Sequence, residues 1–240
     1  IDNHLESAWP VHGNILVQDE AAYFCAGRSV YLDGGIYLYA LDPETGAIKH
    51  ENLFSHRDVE TGQQPRDRVK GFDMDSGLPD VFSSDGTAVF MRDTKLSFAL
   101  EPQEATTAHL WSPTGFLDDS WWHRSYWLIG ENFQAGWGGW SREGNIVPAG
   151  RILCFNEKTI FGFGRNMYPK GNAGQWKKGE YYRLYSASAP AEPKTTPASK
   201  PGQVEAGKNK RRTKKSAPRS KVNYNWSFEV EPEVRAMVLT

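Results

Sequence analysis

Short apolar runs separated by polar turn residues recur along the chain. The clearest copy has apolar runs at residues 15–17 and 22–27 on either side of a polar turn at 18–20. A longer run at 34–46, ending in Asp-Pro-Glu-Thr-Gly, and a short run at 48–51 follow it. Runs rich in β-branched and aromatic residues and bounded by Asp, Asn and Gly are typical of strands joined by tight turns. The pattern therefore predicts an antiparallel meander.

The same arrangement returns further along the chain. A second copy covers residues 80–102, a third covers 150–185, and a fourth begins at 234–239. Recurring sets of short strands predict a β-propeller, because each four-stranded blade buries its faces only against its neighbours. We predict an all-β fold made of such blades, in a partial ring of about three to four blades.

The remaining segments divide the chain. Residues 1–185 are predicted to form the blades, with excursions at 57–77 and 101–150. Residues 186–222 contain no aromatic residue and no Ile, Leu or Met, and are predicted to be a disordered, basic insertion rich in Lys, Pro and Ala. Residues 223–240 are predicted to start the next blade.

Composition fits this interpretation. Of the 240 residues, 39% are hydrophobic and 13% are aromatic, with nine tryptophans, which is enough apolar material for packed sheets. Cys25 and Cys154 occupy hydrophobic strand positions that we interpret as matching between blades, and either two buried thiols or a disulfide fits them. No apolar run approaches the ~18 residues of a membrane-spanning helix.

Several strings of the chain resemble the PQQ-binding-like β-propeller repeat of the quinoprotein alcohol dehydrogenase-like superfamily, and in particular a bacterial subgroup of large multi-blade proteins. The segment Leu38-Tyr39-Ala40-Leu41-Asp42-Pro43-Glu44-Thr45-Gly46 looks like the third strand of such a blade with its turn. The other strings that carry the resemblance lie at residues 8–13, 23–27, 78–81, 112–121 and 147–151. The resemblance implies a periplasmic or extracellular protein and a chain that is a fragment of a larger ring.

The resemblance also raises the question of an enzyme. It implies a PQQ cofactor stacked over the propeller axis, a Ca²⁺ ion, a catalytic Asp and a disulfide between adjacent cysteines. The chain has no adjacent cysteines, and no residue matches the metal-ligand or catalytic-Asp motifs. The histidines also lack metal-ligand spacing. We therefore predict no cofactor, assign no metal ligand or catalytic residue, and favour a protein that is not an enzyme over a PQQ and Ca²⁺ enzyme.

An aromatic stretch at residues 118–140 is the candidate ligand site. Flat aromatic faces beside acids and an Arg are what a sugar or quinone pocket needs, although packing between blades explains the same residues. The candidate ligand-binding residues are Asp118, Asp119, Trp121, Trp122, His123, Arg124, Trp127, Trp137 and Trp140.

The charge distribution suggests a second candidate site. The net charge is −1, but residues 186–221 hold ten basic and two acidic residues, so the rest of the chain is acidic. A basic run can bind polyanions through counterion release, whereas a solvated loop explains it equally well. The candidate residues are Lys208, Lys210, Arg211, Arg212, Lys214 and Lys215.

Taken together, the sequence favours a non-catalytic binding or scaffolding propeller module. The alternative is a quinoprotein-type oxidoreductase or a carbohydrate-active enzyme that uses the stretch 118–140. The expected partners are the remaining blades or a partner chain that closes the ring, and a protein or carbohydrate ligand. Nucleic acid is not an expected partner, because the basic run lacks interleaved aromatic residues.

Overall fold

The protein is described by a computed structural model that places 15 strands. It describes residues 5, 7–11, 13–28, 30–55, 57, 61–63, 81–92, 94–103, 107–112, 126–131, 144–168, 178–189, 222–231 and 234–239. Within those residues the structure is all-β and contains no helix. The predicted fold class is therefore confirmed at this level.

The strands form four antiparallel sheets in chain order. Sheet 1 contains β1 (Leu16–Gln18), β2 (Ala21–Ala26), β3 (Ile36–Leu41) and β4 (Ile48–Phe54). Sheet 2 contains β5 (Phe82–Ser84), β6 (Val89–Met91), β7 (Thr94–Leu96) and β8 (Pro102–Gln103). Sheet 3 contains β9 (His109–Trp111), β10 (Trp127–Gly130) and β11 (Ala149–Gly150). Sheet 4 contains β12 (Ile152–Phe155), β13 (Thr159–Arg165), β14 (Tyr182–Ser188) and β15 (Tyr224–Glu229). In each sheet every strand pairs with the next strand in sequence.

Local sequence chemistry determines the first hairpin of each four-stranded sheet. Between β1 and β2, Asp19 and Glu20 both adopt positive φ (48° and 57°), which is the two-residue turn that matches strand twist. In sheets 2 and 4 a side-chain oxygen closes the turn instead. In sheet 2, Asp85 Oδ1 accepts hydrogen bonds from the backbone N–H groups of Thr87 and Ala88. In sheet 4, Asn156 Oδ1 accepts them from the backbone N–H groups of Lys158 and Thr159.

The structure differs from the sequence prediction in three places. Residues 101–150, predicted to be an excursion, contribute the strands of sheet 3. Residues 186–188, which were predicted to belong to the insertion, lie in β14, where Ser186 and Ala187 are buried. Residues 224–229 do not start a new blade but pair with β14 as the last strand of sheet 4. A long connection separates β14 from β15, and it hid their pairing from the sequence pattern.

Each sheet has two faces, which we name by the direction of the chain. In sheets 1 and 2 the leading face turns toward the next sheet and the trailing face turns away from it. On sheet 1 the leading face carries Leu16, Tyr23, Cys25, Leu38 and Ala40, which pair across the strands. These side chains pack with Phe82, Val89, Met91 and Leu96 on the trailing face of sheet 2 to form the larger core.

Hydrogen bonds join the same two sheets. Asn14, just before β1, donates from Nδ2 to Phe82 O (3.0 Å) and accepts from Phe82 N at Oδ1 (2.7 Å). Asn52 Nδ2 donates to Leu100 O over 2.8 Å, and Tyr23 Oη donates to Phe98 O. Side-chain amides thus replace the strand-to-strand bonds that separate sheets cannot form.

The next two interfaces repeat this arrangement. From the leading face of sheet 2, Ser83 Oγ donates to Leu110 O, and the Phe90 ring stacks on the His109 ring at 3.9 Å. From sheet 4, Tyr185 Oη donates back to Ala149 O of sheet 3 over 3.0 Å. Sheets 3 and 4 are thus joined through the face of sheet 4 that carries Tyr185, which is its trailing face.

Candidate functional site: two open sheet faces

The trailing face of sheet 1 is rich in aromatic residues and partly exposed. Cross-strand pairing places Phe24 beside Tyr39, with their rings stacked at 5.5 Å, and Tyr37 stacks on Tyr39 at 6.4 Å. Val17 and Leu53 extend the same face and are exposed at 64% and 43%. The opposite face of these strands forms the buried core. The apolar side chains on the trailing face are therefore not part of that core.

The leading face of sheet 4 is a second surface of this kind. Pairing across β13, β14 and β15 places Phe161, Leu184, Trp226 and Phe228 on it. The Trp226 ring lies 6.2 Å from the Phe161 ring and 5.3 Å from the Phe228 ring. Phe228 is 61% exposed. Large exposed apolar groups in a contiguous patch are typical of interaction surfaces.

Residues 234–239 lie along the inner edge of this second face. Cys154 Sγ in β12 donates to Met237 O at 3.3 Å, and Met237 is half-buried while Val238 is exposed. These residues form no strand among the described parts of the chain. Met237 contacts β12, and Phe163 of β13 is buried, whereas Phe161 and Trp226 are half-buried and Phe228 is exposed.

A sealed polar cluster lies between sheets 3 and 4. The Tyr126 and Tyr168 rings pack at 4.2 Å, and Tyr126 Oη accepts the backbone N–H of Gly144. Asn145 donates from Nδ2 to Tyr168 O and accepts from Tyr168 N at Oδ1. Both polar groups of the Tyr168 backbone are thus satisfied by one side chain.

Ion pairs continue this cluster toward β14. Arg165 forms a buried ion pair with Glu180. The Arg183 guanidinium lies over the Tyr224 ring at 4.4 Å and donates to Tyr224 Oη. Burial raises the pKa of Tyr168 and of Tyr185 well above the usual tyrosine value, and burial also raises that of Tyr224, against the opposing effect of Arg183. Burial thus favours the neutral form of the Tyr168 and Tyr185 phenols at the junction between the two sheets.

The predicted site residues fall mostly outside the described residues. Trp127 is described: it is half-buried, begins β10 and pairs with Gly150 of β11. The other eight candidates of the aromatic stretch and all six candidates of the basic run lie outside the described residues. Those assignments stay predictions.

The two cysteines do not occupy matching positions. Cys25 lies in the second strand of sheet 1 and is buried, whereas Cys154 lies in the first strand of sheet 4 and is half-buried. Both are thiols, and they are not joined in a disulfide. The sequence interpretation of matching positions is therefore wrong, because it aligned the strands without their turns.

The open faces themselves were missed by sequence reasoning, although a signal exists. In β3 the residues Ile36, Leu38 and Ala40 belong to the buried face, yet Tyr37 and Tyr39 between them are also aromatic. A strand with large apolar side chains on both faces is typical of a sheet that is packed on both sides. In β15, by contrast, aromatic residues alternate with Asn225, Ser227 and Glu229, so only one face of that strand is apolar.

Comparison with known proteins adds no assignment. The chain matches no protein-family model, no curated protein and no solved structure. Among the described residues no group of three or more His, Cys, Asp and Glu side chains could hold a metal ion. The described segments also contain no helix long and apolar enough to cross a membrane.

Proposed function

We propose that the chain is part of a β-propeller and acts as a non-catalytic binding or scaffolding module. The observation that carries the proposal is the series of contacts from each sheet to the next, in which the leading face of sheet 1 packs on the trailing face of sheet 2. Four meanders placed in sequence, each in contact with the next, fit the blades of a propeller. Sheets 1, 2 and 3 are joined near their first strands, and sheets 3 and 4 are joined by Tyr185 of β14 and Ala149 of β11. The resemblance of the sequence to PQQ-like repeats supports the same interpretation and an extracytoplasmic location.

The chemistry of the described residues supports binding rather than catalysis. The charged groups that meet between sheets 3 and 4 are buried, as in the Arg165–Glu180 ion pair. The open faces expose large aromatic and aliphatic side chains, as in Phe228 and Leu53, with Glu51 beside Tyr39 on sheet 1. Such surfaces bind other protein surfaces by burying apolar area.

Ligand titration separates this proposal from the enzyme alternative. Tryptophan fluorescence of the whole chain is followed while PQQ with Ca²⁺ is added, and separately while soluble oligosaccharides are added. We expect no saturable change with either. Saturable quenching by PQQ that requires Ca²⁺ overturns the proposal in favour of a quinoprotein. Saturable quenching by an oligosaccharide favours the carbohydrate-active alternative, and the variant Trp127→Phe then tests the aromatic stretch.

A further inference from the structure

The two open faces point in opposite directions along the series of sheets, and both are rich in aromatic and aliphatic residues. One is the trailing face of sheet 1, with Phe24, Tyr37, Tyr39 and Leu53, and the other is the leading face of sheet 4, with Phe161, Leu184, Trp226 and Phe228. Each carries a pair of neighbouring aromatic rings, Phe24 with Tyr39 or Trp226 with Phe228, and an exposed aliphatic or aromatic residue on its outermost strand.

Within the chain, a leading face is covered by a trailing face. Where sheet 1 meets sheet 2, this contact buries Tyr23 and Leu38 of one sheet against Phe82 and Met91 of the other. A surface that continues this series therefore fits a trailing face. The trailing face of sheet 1 is partly open in the described residues, since Trp9 packs against Tyr37 while Val17 and Leu53 stay exposed.

The described residues do not bring the two surfaces together within one chain. Phe228 on the leading face of sheet 4 is 61% exposed, and Val17 and Leu53 on the trailing face of sheet 1 are 64% and 43% exposed. Mutual burial of two faces at the sheet spacing of about 10 Å would remove most of that exposure.

We propose that the leading face of sheet 4 binds the trailing face of sheet 1 of a second copy of this chain. The proposal rests on the propeller-like order of the sheets in the proposed function. The contact is head-to-tail, so each copy uses two different surfaces, and association either closes a ring or continues to longer assemblies. In the first copy, Met237 contacts Cys154 of β12 beside the leading face of sheet 4. In the second copy, β1 is an edge strand of sheet 1, so it can lie next to residues 234–239 of the first copy.

Sedimentation velocity over a range of protein concentrations tests the proposal. The full chain should associate as its concentration rises. Leu53→Lys and Phe228→Lys each place a charge on one face at an exposed position, so the fold survives while association weakens at least tenfold. Ser227→Lys, one residue away on the opposite face of β15, is the matched control and leaves association unchanged.

Mixing the two variants gives the decisive result. The Leu53→Lys chain keeps an intact leading face and the Phe228→Lys chain keeps an intact trailing face, so an equimolar mixture should form a heterodimer that does not grow further. A full chain that stays monomeric at all concentrations overturns the proposal, as do single variants that still associate or a mixture of folded variants that stays monomeric. None of these results bears on ligand titration or on the order of the sheets, so the proposed function is judged separately.

Discussion

Ser83 and Cys154 occupy equivalent positions in the first strands of sheets 2 and 4. Each lies two residues before the side chain that closes the hairpin, Asp85 or Asn156, and each faces a phenylalanine across the hairpin, Phe90 or Phe161. Each also donates a hydrogen bond to a backbone carbonyl of a later segment, Leu110 O or Met237 O. Met237 therefore occupies the same position relative to sheet 4 that Leu110 of β9 occupies relative to sheet 2.

The equivalence predicts which substitutions the two positions tolerate. Ser83→Ala leaves the half-buried carbonyl of Leu110 without its donor and should lower the free energy of unfolding by about 1–3 kcal/mol. Cys154→Ser keeps a donor of similar size and should change it by less than about 1 kcal/mol. Urea unfolding measures both. A loss with Cys154→Ser as large as that with Ser83→Ala would contradict the equivalence.

Two buried tyrosines between sheets 3 and 4 should respond differently to loss of their hydroxyls. Tyr185 Oη donates to Ala149 O, so Tyr185→Phe should cost about 1–2 kcal/mol of unfolding free energy. Tyr168 Oη is buried and has no hydrogen-bond partner in the described parts of the protein, so Tyr168→Phe should be neutral or stabilising. Thermal unfolding at neutral pH compares them, and an equal loss in both variants would refute this assignment.

The same tyrosines predict a loss of stability at alkaline pH. Burial raises the pKa of Tyr168 and Tyr185 above the usual value of 10.0. Above that pH the tyrosine hydroxyls lose their protons in the unfolded chain but keep them in the folded chain. The contribution of the two tyrosines to the free energy of unfolding is therefore complete below about pH 10 and falls as the pH rises further. The melting temperature should therefore decline above pH 10, and less steeply in Tyr168→Phe. An identical slope in the variant would show that Tyr168 ionises equally in both states.

Gly162 makes room for the Tyr185 ring. The two residues pair directly across β13 and β14, and a Cβ atom at position 162 would lie within 2.3–2.5 Å of ring atoms of Tyr185. Gly162→Ala should therefore destabilise the protein by about 1–3 kcal/mol, because the ring is buried and cannot move aside. The double variant Gly162→Ala with Tyr185→Leu removes the clash, and a double-mutant cycle should show a coupling of at least about 0.5 kcal/mol. Additive losses would exclude the clash.

The basic segment should be dispensable for folding. Ser188 N donates to Asn223 O, so the ends of β14 and β15 already lie next to each other. Replacing residues 190–221 with a short Gly-Ser turn should leave the fold intact and raise the unfolding free energy by up to about 2 kcal/mol through a shorter loop. Any salt-dependent binding to heparin should disappear with the segment. A shortened chain that unfolds would show that the segment supports the fold.

The sequence predicted the fold class and the meander of sheet 1 because β2 and β3 are long enough for alternation to show. The sequence did not predict sheet 3, because its strands span only three, four and two residues and are separated by long connections. Trp111 and Leu128, buried side by side across β9 and β10, are far apart in sequence, so no local pattern joins them. The sequence did not predict the open faces for another reason. Alternation of side chains along a strand shows which residues share a face, but not whether another sheet covers that face.

Spin-label distances test the central claim, the propeller-like order of the sheets, most directly. In a Cys154→Ser background, one pair of labels replaces Val17 in β1 and Phe155 in β12, and a second pair replaces Glu51 in β4 and Glu229 in β15. Propeller blades diverge from the axis, so we predict that the outer-strand pair, 51 and 229, is clearly farther apart than the first-strand pair, 17 and 155. Equal distances would mean a parallel stack of sheets and would contradict the propeller.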